Sequence, residues 1–185
     1  MVEQAFQKLK QEIQLQAKNG IEFILAAGIL WLFISYLWTL EYSAYNKSIF
    51  TFIVGAFLLP LAFGLSKALK TNWKIKDNPL QPLGLWLNFA QLIYFPFLIF
   101  ILIKYPDYFI MTYAIITGAH LFPYTWFYDE MGYAAAAILI SVGSMLIALN
   151  SGPESMWHVP LFTAILLFLL AFWIYVRWKN KNLKS

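Results

Sequence analysis

The stretch IEFILAAGILWLFISYLWTLE, residues 21–41, decides the fold, because an α-helix needs about 20 consecutive apolar residues to cross the hydrocarbon core of a bilayer. Five further stretches share this character in a 185-residue chain that is 61% hydrophobic and 12% charged. Soluble domains carry about twice that share of charge. The sequence therefore predicts an all-α integral membrane bundle of six transmembrane helices, with spans at about 21–41, 48–69, 84–104, 108–127, 131–149 and 157–177.

The N-terminal segment, residues 1–20, is predicted to be an amphipathic helix rather than a span. Apolar residues recur there at steps of three and four, separated by Lys, Glu and Gln: Val2, Phe6, Leu9, Ile13 and Ala17. Such a helix lies on the inner leaflet or under the bundle. The predicted organisation is this helix, a transmembrane domain over 21–178, and a basic tail over 179–185.

Positive charge is distributed unevenly about the predicted spans. Eleven of the thirteen Lys and Arg residues lie in the two tails or between the second and third spans, whereas Lys47 and Lys104 lie in connections on the other side. Because cytoplasmic segments are enriched in Lys and Arg, both termini are predicted to be cytoplasmic. The net charge of +4 then reflects topology and contact with membrane lipid, and no nucleic-acid partner is predicted.

Several kinds of chemistry are disfavoured by the residues present. Cysteine is absent, which excludes disulfides, thiolate catalysis and Cys-ligated metals. His120 and His158 are predicted on opposite sides of the membrane, so no metal site and no cofactor are expected. Glu22 and Glu41 are expected near water at the two ends of the first span, which counts against a pump built on a buried carboxylate.

Prolines and small residues indicate how the helices pack. Pro60, Pro96 and Pro123 each interrupt a predicted span, and the resulting bends favour a cavity between helices, as in transporters, although other proteins have them too. The fifth span is rich in Gly, Ala and Ser, which allow close approach, so it is expected to be central. Asp129 and Glu130 are expected to stabilise the positive end of that helix.

The candidate site is a ligand-binding site in the cytoplasmic half of the bundle, formed by His120, Tyr124, Asn88 and Gln91. His120 and Tyr124 are one turn apart in the fourth span, and Asn88 and Gln91 share a face of the third at similar depth. Intramembrane polar residues often serve a function. They also join helices as structural hydrogen-bonding groups, and the sequence leaves both interpretations open.

Several segments resemble a family of small, uncharacterised bacterial membrane proteins, a domain of unknown function. The resemblance lies in Gly20–Ala26, Leu59–Phe63, Ser66–Lys67, Asn78–Leu80, Leu83–Gly84, Gly118–Tyr124 and Trp126. It extends from the amphipathic helix into the sixth span, and the segment with His120, Pro123 and Tyr124 is its most specific part. The resemblance implies a bacterial cell membrane and supplies no activity, substrate or cofactor.

Three functions remain in competition. The first is binding or transport of a small amphipathic or lipid-like molecule at the candidate site. The second is a regulatory or structural subunit that docks a partner through the fifth span or the basic inner face. The third is an intramembrane enzyme with His120 as general base, for which Tyr124, Ser141 or Ser144 are the available hydroxyls and no orienting acid is predicted. No catalytic residue is assigned.

Overall fold

The chain folds entirely into helices and turns over residues 2–183, the part that the computed structural model describes. The helices are α1 (Val2–Gln16), α2 (Ile21–Thr39), α3 (Ala44–Gly55), α4 (Leu58–Leu69), α5 (Gln81–Leu92), α6 (Phe95–Lys104), α7 (Phe109–Leu121), α8 (Tyr124–Phe127), α9 (Met131–Leu149) and α10 (His158–Asn182). The described residues contain no β-strand, which confirms the all-α prediction. Met1, at one end of the predicted amphipathic helix, and Lys184 and Ser185, in the predicted tail, lie outside the described residues.

Five helical runs within residues 2–183 are long and apolar enough to cross a membrane, as expected of a multi-pass membrane protein. They are Lys18–Thr39, Ala44–Leu69, Gln81–Lys104, Met131–Leu149 and Pro153–Asn182. The predicted fourth span, 108–127, is divided between α7 and α8, which are separated at Phe122 and Pro123. Neither part alone has the length of a span.

Each of the three prolines predicted to kink a span lies at or just after an interruption of the helix, and the bend itself stays a prediction. The α-helix is interrupted between α3 and α4 before Pro60, between α5 and α6 before Pro96, and between α7 and α8 at Pro123. Proline has no N–H to donate to the carbonyl four residues earlier. At Pro123 that carbonyl belongs to Ala119, and it accepts a hydrogen bond from Phe122 N at 3.2 Å instead, which tightens the last turn of α7.

The core is formed by four helices. α2 packs along α10, and α9 packs against both α7 and α10. Close approach depends on small residues: a Cβ on Gly118 of α7 would lie 2.6 Å from Ser141 Oγ, and one on Gly132 of α9 would lie 2.7 Å from Trp173 Cδ1. α5 lies at the periphery and has no fully buried residue: Leu83 and Leu87 pack against the core, whereas Leu85, Trp86 and Phe89 are exposed.

One end of the bundle is closed by α1, and we call it the α1 end. It comprises the start of α2, the connection 70–80, α8 and the last turns of α10. Lys10 and Ile13 of α1 are buried here, with Lys10 Nζ 4.6 Å from the ring centroid of Trp126. Within the described residues, six hydrogen bonds attach α1 to its neighbours: Asn78 Nδ2 to Leu9 O (2.9 Å), Asn78 Nδ2 to Glu12 Oε2 (2.9 Å), Asn72 N to Gln16 O (3.0 Å), Asn72 Nδ2 to Gln16 Oε1 (3.2 Å), Trp178 Nε1 to Leu15 O (3.1 Å) and Lys181 Nζ to Gln14 Oε1 (3.0 Å).

Candidate functional site

His120 and Tyr124 lie side by side at the break between α7 and α8. Their ring centroids are 5.4 Å apart in an edge-to-face arrangement with planes at 77°. His120 is half-buried and forms no hydrogen bond with another described residue, and the buried Tyr124 hydroxyl also has no partner within residues 2–183. Because nearly all buried polar groups in folded proteins are hydrogen-bonded, the Tyr124 hydroxyl without a partner is the feature of this pair that needs an explanation.

The predicted partners on the third span form no hydrogen bond with this pair. Asn88 Nδ2 donates to Gly84 O at 3.0 Å, one turn earlier in α5. Gln91 is half-buried, and its amide forms no hydrogen bond with any other residue of the described chain. α5 does approach α8, since a Cβ on Gly84 would lie 3.0 Å from Phe127 Cζ. Helix α5 therefore packs against α7 and α8, but one of its two side-chain amides is used by its own backbone.

A layer of three tyrosines continues inward from Tyr124. Tyr128 and Tyr133 pack on Tyr124 and on each other, with all three centroid distances between 5.7 and 5.8 Å. The Tyr133 hydroxyl donates to Asn19 O at 2.5 Å, which ties α9 to the start of α2. Tyr128 lies in the connection before α9, where burial raises the pKa of its hydroxyl, so it stays neutral and can donate a hydrogen bond.

Beyond the tyrosines lies a buried polar group that the sequence interpretation missed. We call Asn19, Glu22 and Thr71 the Glu22 cluster. Their exposed fractions are 0%, 1% and 9%, and both Asn19 amide atoms, Glu22 Oε2 and Thr71 Oγ1 have no hydrogen-bond partner among the described residues. The spacing of Asn19 and Glu22, one turn apart at the start of an apolar span, was the signal available in the sequence.

The expectation that Glu22 lies near water is wrong, because its side chain is buried by residues from other segments. Thr71 and Trp73, from the connection after α4, face its carboxylate. That connection is held against the end of α1, because Asn72 N donates to Gln16 O at 3.0 Å. Glu41, at the other end of the first span, is exposed as expected. Segments distant in sequence thus cover one end of α2 and leave the other end open.

The expected role of Glu130 at the start of α9 also needs correction. Its side chain forms no capping hydrogen bond with that helix. The carboxylate is 2% exposed and accepts hydrogen bonds from Trp173 Nε1 at 2.9 Å and Arg177 Nε at 3.4 Å, both on α10. Asp129 is exposed, and it has a positive φ of 50°. Glu130 therefore joins the start of α9 to α10, because its side chain points toward α10 and not along its own helix.

The hydroxyls considered for an enzyme are engaged elsewhere. Ser141 Oγ donates to Ile115 O at 3.2 Å, and Ser144 Oγ pairs with Thr163 Oγ1 at 3.5 Å. Neither serine is hydrogen-bonded to His120. Within residues 2–183, no group of three or more His, Asp or Glu side chains is placed to hold a metal ion.

Two surface clefts lie away from the predicted site. One, of about 450 Å³, is lined by residues of the 74–82 segment, including Lys74, Lys76 and Gln81. The other, of about 200 Å³, lies at the opposite end, between Trp38 and Glu154. Neither cleft includes any of the four predicted site residues.

Comparison with known proteins gives one match. A model of a family of unknown function (DUF7010) matches residues 6–177, which is nearly the whole chain. No curated protein and no solved structure matches the chain.

Proposed function

Because the chain belongs to DUF7010, a family of unknown function that supplies no activity, we propose a function from its architecture and its candidate site. The protein is a bacterial cell-membrane protein with six transmembrane helices over 21–178 and both termini in the cytoplasm. Support comes from the five long apolar helices. The proposal adds a fourth span made of α7 and α8 together. The amphipathic helix 1–20 then lies on the cytoplasmic side, at the α1 end.

The absence of cysteine makes this topology directly testable. Single cysteines at the exposed residues Lys8 and Asn180 report the two tails, and one at exposed Asp107 reports the connection after α6. A membrane-impermeant maleimide applied to intact cells should label only the Asp107→Cys variant. Labelling of exactly one tail, as five spans require, would contradict the six-span topology.

The function is binding or transport of a small amphipathic or lipid-like molecule on the cytoplasmic side of the bundle. The observation that carries it is the His120–Tyr124 pair, in which a half-buried imidazole packs against the ring of a tyrosine whose buried hydroxyl has no partner within residues 2–183. A neutral imidazole both donates and accepts hydrogen bonds, which suits a polar head group. Asn88 and Gln91, on the adjacent α5, are proposed to contribute from the other side. No cofactor is part of the proposal.

Native mass spectrometry on gently extracted protein tests the site. Wild type should carry a bound lipid or metabolite that His120→Ala loses, and Tyr124→Phe, which removes only the hydroxyl, should weaken its retention. The control is His158→Ala, which changes the exposed histidine on α10 whose ring bonds only locally, to Ser155 O. Identical ligand-free spectra for wild type and His120→Ala would reduce the pair to a structural contact between helices.

One observation favours the alternative of a subunit that docks a protein partner. Only 6% of the apolar window of the 81–104 run is buried, the lowest share among the five long helices of the described chain. A partner helix could cover this face, although lipid alone also satisfies it. Crosslinking from a photoreactive residue at Ile93, which is 78% exposed, distinguishes the two, because only a partner gives a discrete protein adduct.

A further inference from the structure

We propose that the Glu22 cluster binds a monovalent metal cation, with Na⁺ as the first candidate. The cluster lies at the start of α2 and is formed by Asn19, Glu22 and Thr71, none of which belongs to the four-residue site. This inference goes beyond the proposed function and does not depend on the identity of a ligand at His120. It rests on four buried polar atoms without hydrogen-bond partners in three neighbouring side chains.

Glu22 provides the charge that such an ion would neutralise. A buried carboxylate is costly unless it is paired with a cation and hydrogen-bonded. Lys18 is the cation that faces Glu22, but its Nζ donates to Leu69 O at 2.8 Å and lies 4.4 Å from the ring centroid of Trp178. No ion pair to Glu22 is formed within the described residues. Lys18 therefore acts on the carboxylate from a distance and does not form a close ion pair with it.

The other atoms of the cluster are suitable ligands. Asn19 Oδ1 and Thr71 Oγ1 are oxygen donors, and alkali and alkaline-earth ions prefer carboxylate, carbonyl and hydroxyl oxygens. The backbone from Lys18 to Gly20 is left-handed, with φ of 46°, 54° and 72°. Non-helical backbone at membrane depth occurs where it lines a cavity or a site, and ion sites of transporters are formed there.

Size and charge favour a small monovalent ion. A single carboxylate matches one positive charge, and residues 2–183 offer no third acid or histidine for a divalent site. The surroundings are closely packed, because a Cβ on Gly20 would lie 2.9 Å from the Tyr128 hydroxyl. The side chains of Asn19 and Glu22 are 0% and 1% exposed. Such burial favours a small ion as the occupant, because an amphipathic head group needs an opening.

Thermal unfolding of the purified protein at pH 8 tests the proposal. NaCl and KCl are each titrated at constant ionic strength against choline chloride, whose cation is too large for the cluster. A saturable rise in Tm of about 5–10 °C is expected at a hundredfold excess of ion over its Kd. Glu22→Gln should abolish the rise, and Glu41→Gln, which changes the exposed acid at the other end of the first span, should retain it.

A direct measurement keeps the proposal testable if Glu22→Gln does not fold. Wild type should bind about one ²²Na⁺ per chain, displaced by unlabelled NaCl and not by choline, and Thr71→Ala should raise the Kd about tenfold. Equal Tm in NaCl, KCl and choline chloride together with no ²²Na⁺ binding would overturn the inference. Ion binding that Glu22→Gln leaves unchanged would overturn it as well. In either case the His120 site is still tested separately by its own mass spectra.

Discussion

Replacing Glu130 tests whether this residue stabilises the fold through its contacts with α10 or only through its charge at the start of α9. Glu130→Ala removes a carboxylate that is 2% exposed and that binds Trp173 and Arg177 on α10. Hydrogen bonds to charged groups contribute about 1.5–3 kcal/mol. The ion pair itself adds little, about 0–1 kcal/mol, because the Arg177 side chain is 54% exposed and solvent screens it.

The net cost of Glu130→Ala should be about 2 kcal/mol, since the half-exposed Trp173 can regain a partner at the membrane surface. For a chain of this length that corresponds to a fall in Tm of about 4–8 °C in detergent. Glu130→Gln keeps a carbonyl oxygen for the Trp173 N–H and should lose about half as much. In a Trp173→Phe background, Glu130→Ala should cost less, because the principal hydrogen bond is already absent.

The matched control for this prediction is Asp129→Asn. Asp129 is exposed and has a positive φ, which Asn adopts readily, so the substitution removes the charge without straining the turn. It should change Tm by less than about 2 °C. If Asp129→Asn and Glu130→Ala lower Tm equally, the two acids act only through the dipole of α9, and the contact with α10 has no energetic weight.

Two further perturbations test how the helices pack. Gly118→Ala should lower stability by about 1–3 kcal/mol, because its Cβ would lie 2.6 Å from Ser141 Oγ. The control Gly64→Ala, whose Cβ would have no atom within 4 Å, should be neutral or stabilising by about 0.5–1 kcal/mol. Equal changes in Tm for the two variants would contradict the close packing of α7 and α9. Lys10→Ala should accelerate amide hydrogen exchange throughout α1, because it removes the buried contact with Trp126. The control Lys8→Ala, at an exposed lysine, should not. Unchanged exchange in both variants would mean that Lys10 does not stabilise the packing of α1 on the bundle.

The helical segments and their interruptions could be predicted because they depend on local properties. Hydropathy over about 20 residues identifies a span whatever it packs against. A proline breaks the helix because its own ring lacks an N–H, so Pro60, Pro96 and Pro123 marked their breaks in advance. The proximity of His120 to Tyr124 is local in the same sense, since residues four apart share a helix face.

The remaining site features depend on contacts between segments far apart in sequence. Glu22 was placed near water because it begins a span, yet the connection 70–80 and α1 cover it. Asn88 was assigned to the site from its depth and the helix face it shares with Gln91, but its side-chain amide donates to the carbonyl of Gly84 instead. The orientation of Glu130 depends on the rotation of α10 about its axis. Hydropathy and periodicity carry no information about how a helix is rotated about its axis or which distant segment buries a residue.

The basic residues at the α1 end have a second role beside the topological one. Lys10 contacts α8, Lys18 joins the start of α2 to the last carbonyls of α4, Lys181 binds α1, and Arg177 binds the turn before α9. A cation at the C-terminal end of a helix is favoured by the helix dipole, as for Lys18 at Leu69 O. These residues therefore join the elements of the α1 end to one another, in addition to forming the charge bias from which the orientation was predicted. Neutralising these residues would change both the packing of the α1 end and the charge bias that predicts the orientation. The orientation in the membrane is therefore better tested by neutralising lysines that make no contact between helices.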